Sequence, residues 1–443
     1  MSAKLQTRPS IGLLTAIALV VGNMIGSGLF LLPASLAPYG VAAILGWGAS
    51  ACGALALAFV FARLSRRLPR SGGPYAYARE AFGDGVGFTV AWSYWISIWC
   101  GNAAIAIAFA GYFDALLPAS TQTPMRCALT AIAALWACTL ANILGVRSAG
   151  RVQLITTVLK LLPLIAIATF AIPSIEPAAW QPFNRSEGNL WSVLAATVAL
   201  TLWAFLGVES ATIPADNVRD PERNIPRATL IGATLAIVVT VCACMAVVGL
   251  LPAAALAKSS APFADAAARL WGDRAGTLFA VVAAIACFGA LNGWVLMQGQ
   301  VPLAAARDRV FPAFFAREDA RGTPVHGLVL SSALASLLVL ANYQKNLVQL
   351  FTFSILLSTA ATLLPYVVCS AAELRWPDRR SDRSRTRLAT MMAVAAFAFS
   401  VGALIGTGRE ALFWGAALVC AGWPVYRGQL ARRRSRPRSD GEI

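Results

Sequence analysis

The sequence predicts an all-α integral membrane protein of twelve membrane-spanning helices, and three observations predict it. Of its 443 residues 58% are hydrophobic and only 13% are charged, more apolar surface than one water-soluble core can hide. The apolar residues gather in twelve runs, each long enough to cross roughly 30 Å of hydrocarbon. Basic residues fall mainly in alternate connections between those runs, as the positive-inside rule requires of a multi-span chain.

The first run, 12–34, contains Gly22-Asn23-Met24-Ile25-Gly26-Ser27-Gly28, a stretch that breaks a helix at membrane depth. It is too long for a cleavable leader and lacks a small-residue cleavage site, so it is expected to stay in the mature chain. Runs 40–62, 86–117 and 125–144 follow, and the fifth, 153–173, carries Lys160 at its middle. The sixth, 190–213, is interrupted at Trp203-Ala204-Phe205-Leu206-Gly207-Val208-Glu209-Ser210, the place in a second group of five that the first break holds in the first group. Runs 226–250, 276–302, 326–342 and 347–373 complete that group, and 388–407 and 411–426 are appended. One membrane domain thus covers 1–430, with its core at 10–373, and 431–443 is a basic tail.

The charge of +16 follows from topology. Lys4, Arg8, the arginines from Arg63 to Arg79, Arg147, Arg151, and the groups Arg219 to Arg227, Arg307 to Arg321, Arg375 to Arg387 and Arg427 to Arg438 share one side. The other side holds only Arg126, Arg185, Lys258, Arg269, Arg274, Lys345 and Arg409. Both termini are therefore expected in the cytoplasm. The arginine-rich tail reads as a topology anchor touching anionic lipid rather than a nucleic-acid site.

Composition also excludes function classes. The nine cysteines lie in the spans without a CxxC, and Cys242 and Cys244 point to nearly opposite helix faces, so they read as core-filling thiols. His326 is the only histidine and sits where a loop enters the ninth run. No cluster of His, Asp, Glu or Cys lies at membrane depth, so neither a metal site, a cofactor nor enzymatic catalysis is expected. The spans show almost no continuous polar lining, which excludes a channel. A sensor derived from a transporter stays open, and counterflow separates it from a carrier.

Chemistry concentrates at the two breaks. The glycines around Ser27 let backbone N–H groups face a cavity at the positive end of a half-helix, a seat for an α-carboxylate. Around Gly207 the unwound carbonyls of 203–208 suit an ammonium, with Trp203 and Phe205 as aromatic walls. Two breaks in matching positions are how a secondary transporter builds a substrate site. Glu209, the one carboxylate well inside a span, either caps freed N–H groups or acts as a pH-sensitive gate. Lys160 at mid-span costs about 2.5–3.5 kcal/mol to insert, so it faces protein or a water-filled cavity.

These residues, together with Ser71-Gly72-Gly73-Pro74-Tyr75-Ala76-Tyr77 and the segment Asn217 to Pro226 (NVRDPERNIP), resemble the amino acid–polyamine–organocation superfamily. Within it the chain is most similar to the bacterial basic amino acid/polyamine antiporters, across about residues 10–430. The resemblance implies a 5+5 inverted-repeat fold with broken helices 1 and 6 and two appended helices, and a homodimer as in the antiporters, while the short loops without an appended soluble domain point to a bacterial inner membrane. It implies that Met24, Ile25, Ser27 and Gly28 hold the substrate carboxylate and amine, and that Ser97, Ile98, Asn102 and Ile105 lie beside its side chain. Trp203 would stack on a guanidinium or ammonium and Trp294 would wall the cytoplasmic side. Phe205, Gly207 and Ser358 complete the implied substrate set, and Tyr75, Tyr94 and Tyr366 match gate or lining positions.

Three positions depart from the antiporters. Asn292 stands where they carry a small or apolar residue, and Ile98 where the arginine/agmatine exchangers carry cysteine. Lys160 resembles the fifth-span lysine of sodium-independent relatives, whose ammonium lies between the first and eighth spans in place of a coupling sodium. A positive charge there repels Na⁺, and the residue either organises the unwound first span or titrates during the cycle. The expected activity is sodium-independent exchange of a cationic amino acid (arginine, lysine or ornithine) for a related amine or amino acid, by alternating access through membrane lipid. The alternative is a proton-coupled carrier or exporter of neutral amino acids.

Overall fold

A computed structural model describes residues 11–25, 29–70, 72–118, 123–144, 149–175, 181–213, 215, 218–320, 322–376 and 383–434. Among them the regular structure is helical, save one isolated parallel bridge between Ile11 and Val218. The helices are α1 (Leu13–Met24), α2 (Leu32–Leu36), α3 (Ala43–Arg67), α4 (Pro74–Phe82), α5 (Asp84–Asp114), α6 (Pro124–Leu144), α7 (Ala149–Ala171), α8 (Leu190–Trp203) and α9 (Pro221–Leu250). They continue as α10 (Ala253–Leu256), α11 (Pro262–Trp271), α12 (Asp273–Arg307), α13 (Val325–Ala341), α14 (Leu347–Arg375), α15 (Arg383–Gly406), α16 (Arg409–Cys420) and α17 (Gly422–Arg434).

Among the described residues seven helical stretches are long and apolar enough to cross a membrane, and α1, α8, α13 and 159–171 of α7 are shorter apolar helices. Two of the short ones, α1 and α8, stop where the sequence places its breaks. Burial then sorts inner helices from outer ones. The apolar window of α5 is 89% buried, whereas that of α15 is 28% buried. A helix apolar on every side needs either protein or lipid around it, and α5 takes protein, packed chiefly against α12 and α14.

The arginine-rich end is tied across elements. Pro74 opens α4 after Gly73, whose φ is +52°, and Gly72 N–H donates to the Ile213 carbonyl at 3.3 Å. From α4, Tyr75 OH donates to Asp308 Oδ2 at 2.9 Å and Arg79 reaches Asp308 and Asp84 at 2.8 Å each. Burial first, then the Asp308 hydrogen bond, hold the Tyr75 phenol above its usual pKa, so it remains a donor. Arg63 and Arg67 pair with the buried Glu373 at 2.7 and 3.0 Å. At the opposite end Tyr112 OH donates to the Phe30 carbonyl at 2.8 Å and accepts from Phe263 N–H at 3.2 Å.

The sixth run does leave its α-helix at Trp203, where the break was expected. Other boundaries differ from the sequence expectation. Helix α9 starts at Pro221, not 226, because Pro221 occupies its first turn and Pro226 is accommodated five residues on. The last run is two helices, α16 and α17, meeting at Ala421. His326 lies at the start of α13 with its ring edge-on to Phe314 at 4.8 Å. Cys52 and Cys420 are exposed, unlike the buried Cys100, Cys138, Cys244, Cys287 and Cys369, so the core-filling reading holds for only part of the set.

Candidate functional site

Helix α1 ends at Met24. Ile25 leaves helical geometry at φ −82°, ψ 53°, its N–H still bonded to the Val21 carbonyl at 2.7 Å. The expected anion seat, Gly26, Ser27 and Gly28, falls outside the described residues. The backbone is helical again from Leu32.

The second break is described in full. After Trp203, the N–H groups of Ala204, Phe205 and Leu206 bond back to the carbonyls of Thr201, Leu202 and Trp203 at 3.1, 2.8 and 3.2 Å, the tighter three-residue repeat that commonly ends an α-helix. Gly207 then turns the chain at φ +98°, a conformation open to glycine and strained for other residues. A Cβ there would also stand 3.2 Å from Asn23 Cβ and 3.3 Å from the Trp294 indole. Gly207 is where the sixth segment touches α1 and α12 together.

Glu209, fully buried, follows at once. Its carboxylate accepts from Tyr94 OH at 2.5 Å and from Tyr366 OH at 2.7 Å. Through these two phenols it ties the second break to α5 and α14.

Between the breaks lies a cavity of about 30 Å³. Asn23 and Met24 line it from α1, and Tyr94, Ser97, Ile98, Gly101 and Ile105 from α5. Trp203, Ala204, Leu206 and Glu209 close it from the sixth segment, Trp294 from α12, and Ser358 and Thr362 from α14. The Trp203 indole seats against Gly101, where a Cβ would come within 2.8 Å of the ring. Hydroxyl direction decides what the cavity offers a ligand. Ser97 Oγ donates to the Tyr94 carbonyl, Ser358 Oγ to the Ser97 carbonyl and Thr362 Oγ1 to the Ser358 carbonyl, at 2.7, 2.7 and 3.0 Å. Each hydroxyl proton is spent on backbone, so toward any further partner these oxygens can only accept. Hydroxyl acceptors and two indoles are the surroundings that suit an ammonium or guanidinium.

Other expected site residues lie around the cavity without lining it. Ile25 is buried beside the first break. Phe205 turns away to pack on Trp47 at 5.5 Å, because the tightened turn advances it off the face of Trp203. Asn102 donates to Gln298 Oε1 at 2.7 Å. Asn292 accepts from Asn142 Nδ2 at 2.8 Å, joining α6 to α12. Tyr366 reaches the site only through Glu209, and Tyr75 belongs to the arginine-rich end. Lys160, 1% exposed, directs Nζ at the Gly22 carbonyl of α1 at 3.5 Å and stands near Cys287 of α12.

Sequence reasoning missed Gly101, Ala204, Leu206 and Thr362 and did not single out Asn23. Thr362 had a signal, since it lies one turn beyond Ser358 on the same helix face. Gly101 had none, as one small residue among many.

Known proteins bear on this geometry. The amino acid permease family matches residues 11–418. The chain is 32% identical over 420 residues to the putrescine transporter PotE of Escherichia coli (strain K12), covering 94% of this chain and 95% of that protein. It is 31% identical over 423 residues to PotE of Haemophilus influenzae, covering 94% and 96%. To the cadaverine/lysine antiporter of Escherichia coli (strain K12) it is 35% identical over 365 residues, covering 80% and 81%.

Proposed function

The chain belongs to the amino acid permease family of the amino acid–polyamine–organocation superfamily, and from that premise we propose that it exchanges a cationic amino acid for a related amine or amino acid, without sodium, by alternating access. As a member it is an integral membrane transporter and not an enzyme. The finer reading, with arginine, lysine or ornithine as one substrate, rests on the direction of the hydroxyls. Ser97, Ser358 and Thr362 each give their proton to a backbone carbonyl, leaving only acceptor capacity among the hydroxyls that line the cavity with Trp203 and Trp294, which suits a positively charged side chain. Relatives named for putrescine and for cadaverine and lysine support the same chemistry.

The proposal carries an architecture of twelve spans in a 5+5 inverted repeat, set in a bacterial inner membrane with both termini cytoplasmic. Ser27 and Gly28 take the substrate carboxylate, and Glu209 with Tyr94 and Tyr366 forms the gate. Lys160 stands in for the coupling sodium, its ammonium supporting the end of the broken first helix at Gly22. Lys160→Ala is expected to slow exchange about tenfold, the loss of one charge-assisted hydrogen bond at membrane depth. Exchange unchanged at every pH would remove Lys160 from the mechanism.

Counterflow tests the whole reading. Proteoliposomes loaded with unlabelled arginine are challenged with labelled arginine and competed with agmatine, ornithine, lysine, leucine and alanine. Accumulation blocked by the cationic competitors alone, and indifferent to a pH gradient or to sodium, is the expected result. The burial of Lys160 favours one other reading, proton-coupled carriage of neutral amino acids; leucine and alanine then compete and a proton gradient alone drives uptake.

A further inference from the structure

Asn102 and Gln298 form a pair that the cavity lining does not explain. Both are fully buried, and Asn102 Nδ2 donates to Gln298 Oε1 at 2.7 Å. Asn102 follows Gly101 and stands about one turn from Ile98 and from Ile105, the lining residues of α5. Gln298 lies one turn beyond Trp294, the lining residue of α12. The pair therefore lies at the seam between these two helices, one turn from lining residues and just behind the lining itself.

The orientation of an amide is settled by partners that can only accept or only donate. Gln298 Nε2 lies 3.2 Å from the Leu328 carbonyl and 2.7 Å from Ser332 Oγ. A carbonyl only accepts, so the nitrogen of Gln298 faces α13 and its oxygen faces Asn102. The hydroxyls agree with this. Thr139 Oγ1 gives its proton to the Leu135 carbonyl at 2.8 Å, so Ser332, 2.6 Å away, donates to Thr139 and is left to accept from Gln298. Two backbone carbonyls, one on α6 and one on α13, thus orient a run of four side chains that ends with the Asn102 nitrogen turned toward Gln298.

What remains is Asn102 Oδ1, which is buried and has no hydrogen-bond partner among the described residues. A buried acceptor without a donor is costly to hold, and this one belongs to a residue flanked along α5 by the lining residues Ile98, Gly101 and Ile105. We infer that Gln298 is a positioning residue: by engaging the amide nitrogen of Asn102 it fixes the amide oxygen as the group offered to the ligand, and so selects substrates whose side chain ends in N–H donors over isosteres that lack them. The inference rests on the amine-exchange reading of the site. Gln298 itself does not touch the ligand; it acts through Asn102.

The test is a selectivity ratio, the kcat/KM for exchange of lysine over that of norleucine, which lacks the terminal ammonium. Taken on one preparation of reconstituted protein, the ratio is independent of the fraction that is folded. Gln298→Met keeps the volume but releases Asn102, and the ratio is expected to fall about tenfold. Gln298→Glu still accepts from Asn102 and is expected to hold the ratio at or above the wild-type value. In an Asn102→Ala background Gln298→Met changes the ratio no further, since nothing is left to position. An unchanged ratio in Gln298→Met overturns the inference, as does an additive loss in the double variant. Where Gln298→Met yields no folded protein, Gln298→Glu decides: a collapsed ratio overturns the inference and a preserved one supports it. Wild-type protein that exchanges lysine and norleucine equally well overturns the amine reading instead.

Discussion

Glu209→Ala is expected to lower the kcat/KM of exchange by at least about 100-fold, because two charge-assisted hydrogen bonds, each contributing about 1.5–3 kcal/mol, are lost together. The substitution leaves the phenols of Tyr94 and Tyr366 buried without their acceptor. The two phenols sit on different helices, so the loss loosens the arrangement of the sixth break against α5 and α14. Glu209→Gln retains one carbonyl oxygen for one phenol and is expected to lose only about tenfold. Counterflow rates normalised to folded protein, with thermal denaturation of the purified variants alongside, separate this gate effect from unfolding. Exchange within twofold of wild type in Glu209→Ala would sink the assignment.

Gly207→Val is expected to reduce exchange below about 1% of wild type, since backbone strain and overpacking together cost roughly 2–6 kcal/mol. The position combines φ +98° with neighbours at 3.2 and 3.3 Å on two other segments. A side chain there must push Asn23 and Trp294 off the cavity while distorting the turn that presents Glu209. Gly272 provides the control. It too has a positive φ, +86°, but nothing lies within 4 Å of its Cβ direction, so Gly272→Ala brings strain without displacement and is expected to keep exchange near wild type. Equal losses in the two variants would mean that the backbone angle alone matters and that contact with α1 and α12 does not.

The long apolar helices were legible because lipid imposes one requirement on every residue at membrane depth, and runs of apolar residues report it directly. The break after Trp203 was legible for a related reason, as Gly207 marks a backbone that no other residue follows cheaply. Side-chain direction beyond a break was not. Phe205 reads as a pocket wall from its place beside Trp203, yet the tightened turn rotates it onto Trp47. Asn102 poses a different difficulty: its partner Gln298 lies 196 positions away, and no local pattern joins them. Tyr94 and Tyr366 were legible as candidates, but their common acceptor emerges only when α5, α14 and the sixth break are packed together. Gly101 shows the limit from the other side, since its contribution is an absent side chain.

The distribution of sulfur makes the native chain its own reporter. Cys100 adjoins Gly101 in the wall against which Trp203 rests, and it is buried, whereas Cys52 and Cys420 are exposed. Thiols enclosed in packed protein react slowly, so modification of Cys100 by a small water-soluble reagent records the moments when that wall parts. Blocking the exposed pair and the half-buried Cys127 and Cys242 beforehand would leave a chain in which the labelling rate read at Cys100 itself, with and without substrate, times the opening of that wall with no engineered cysteine at all.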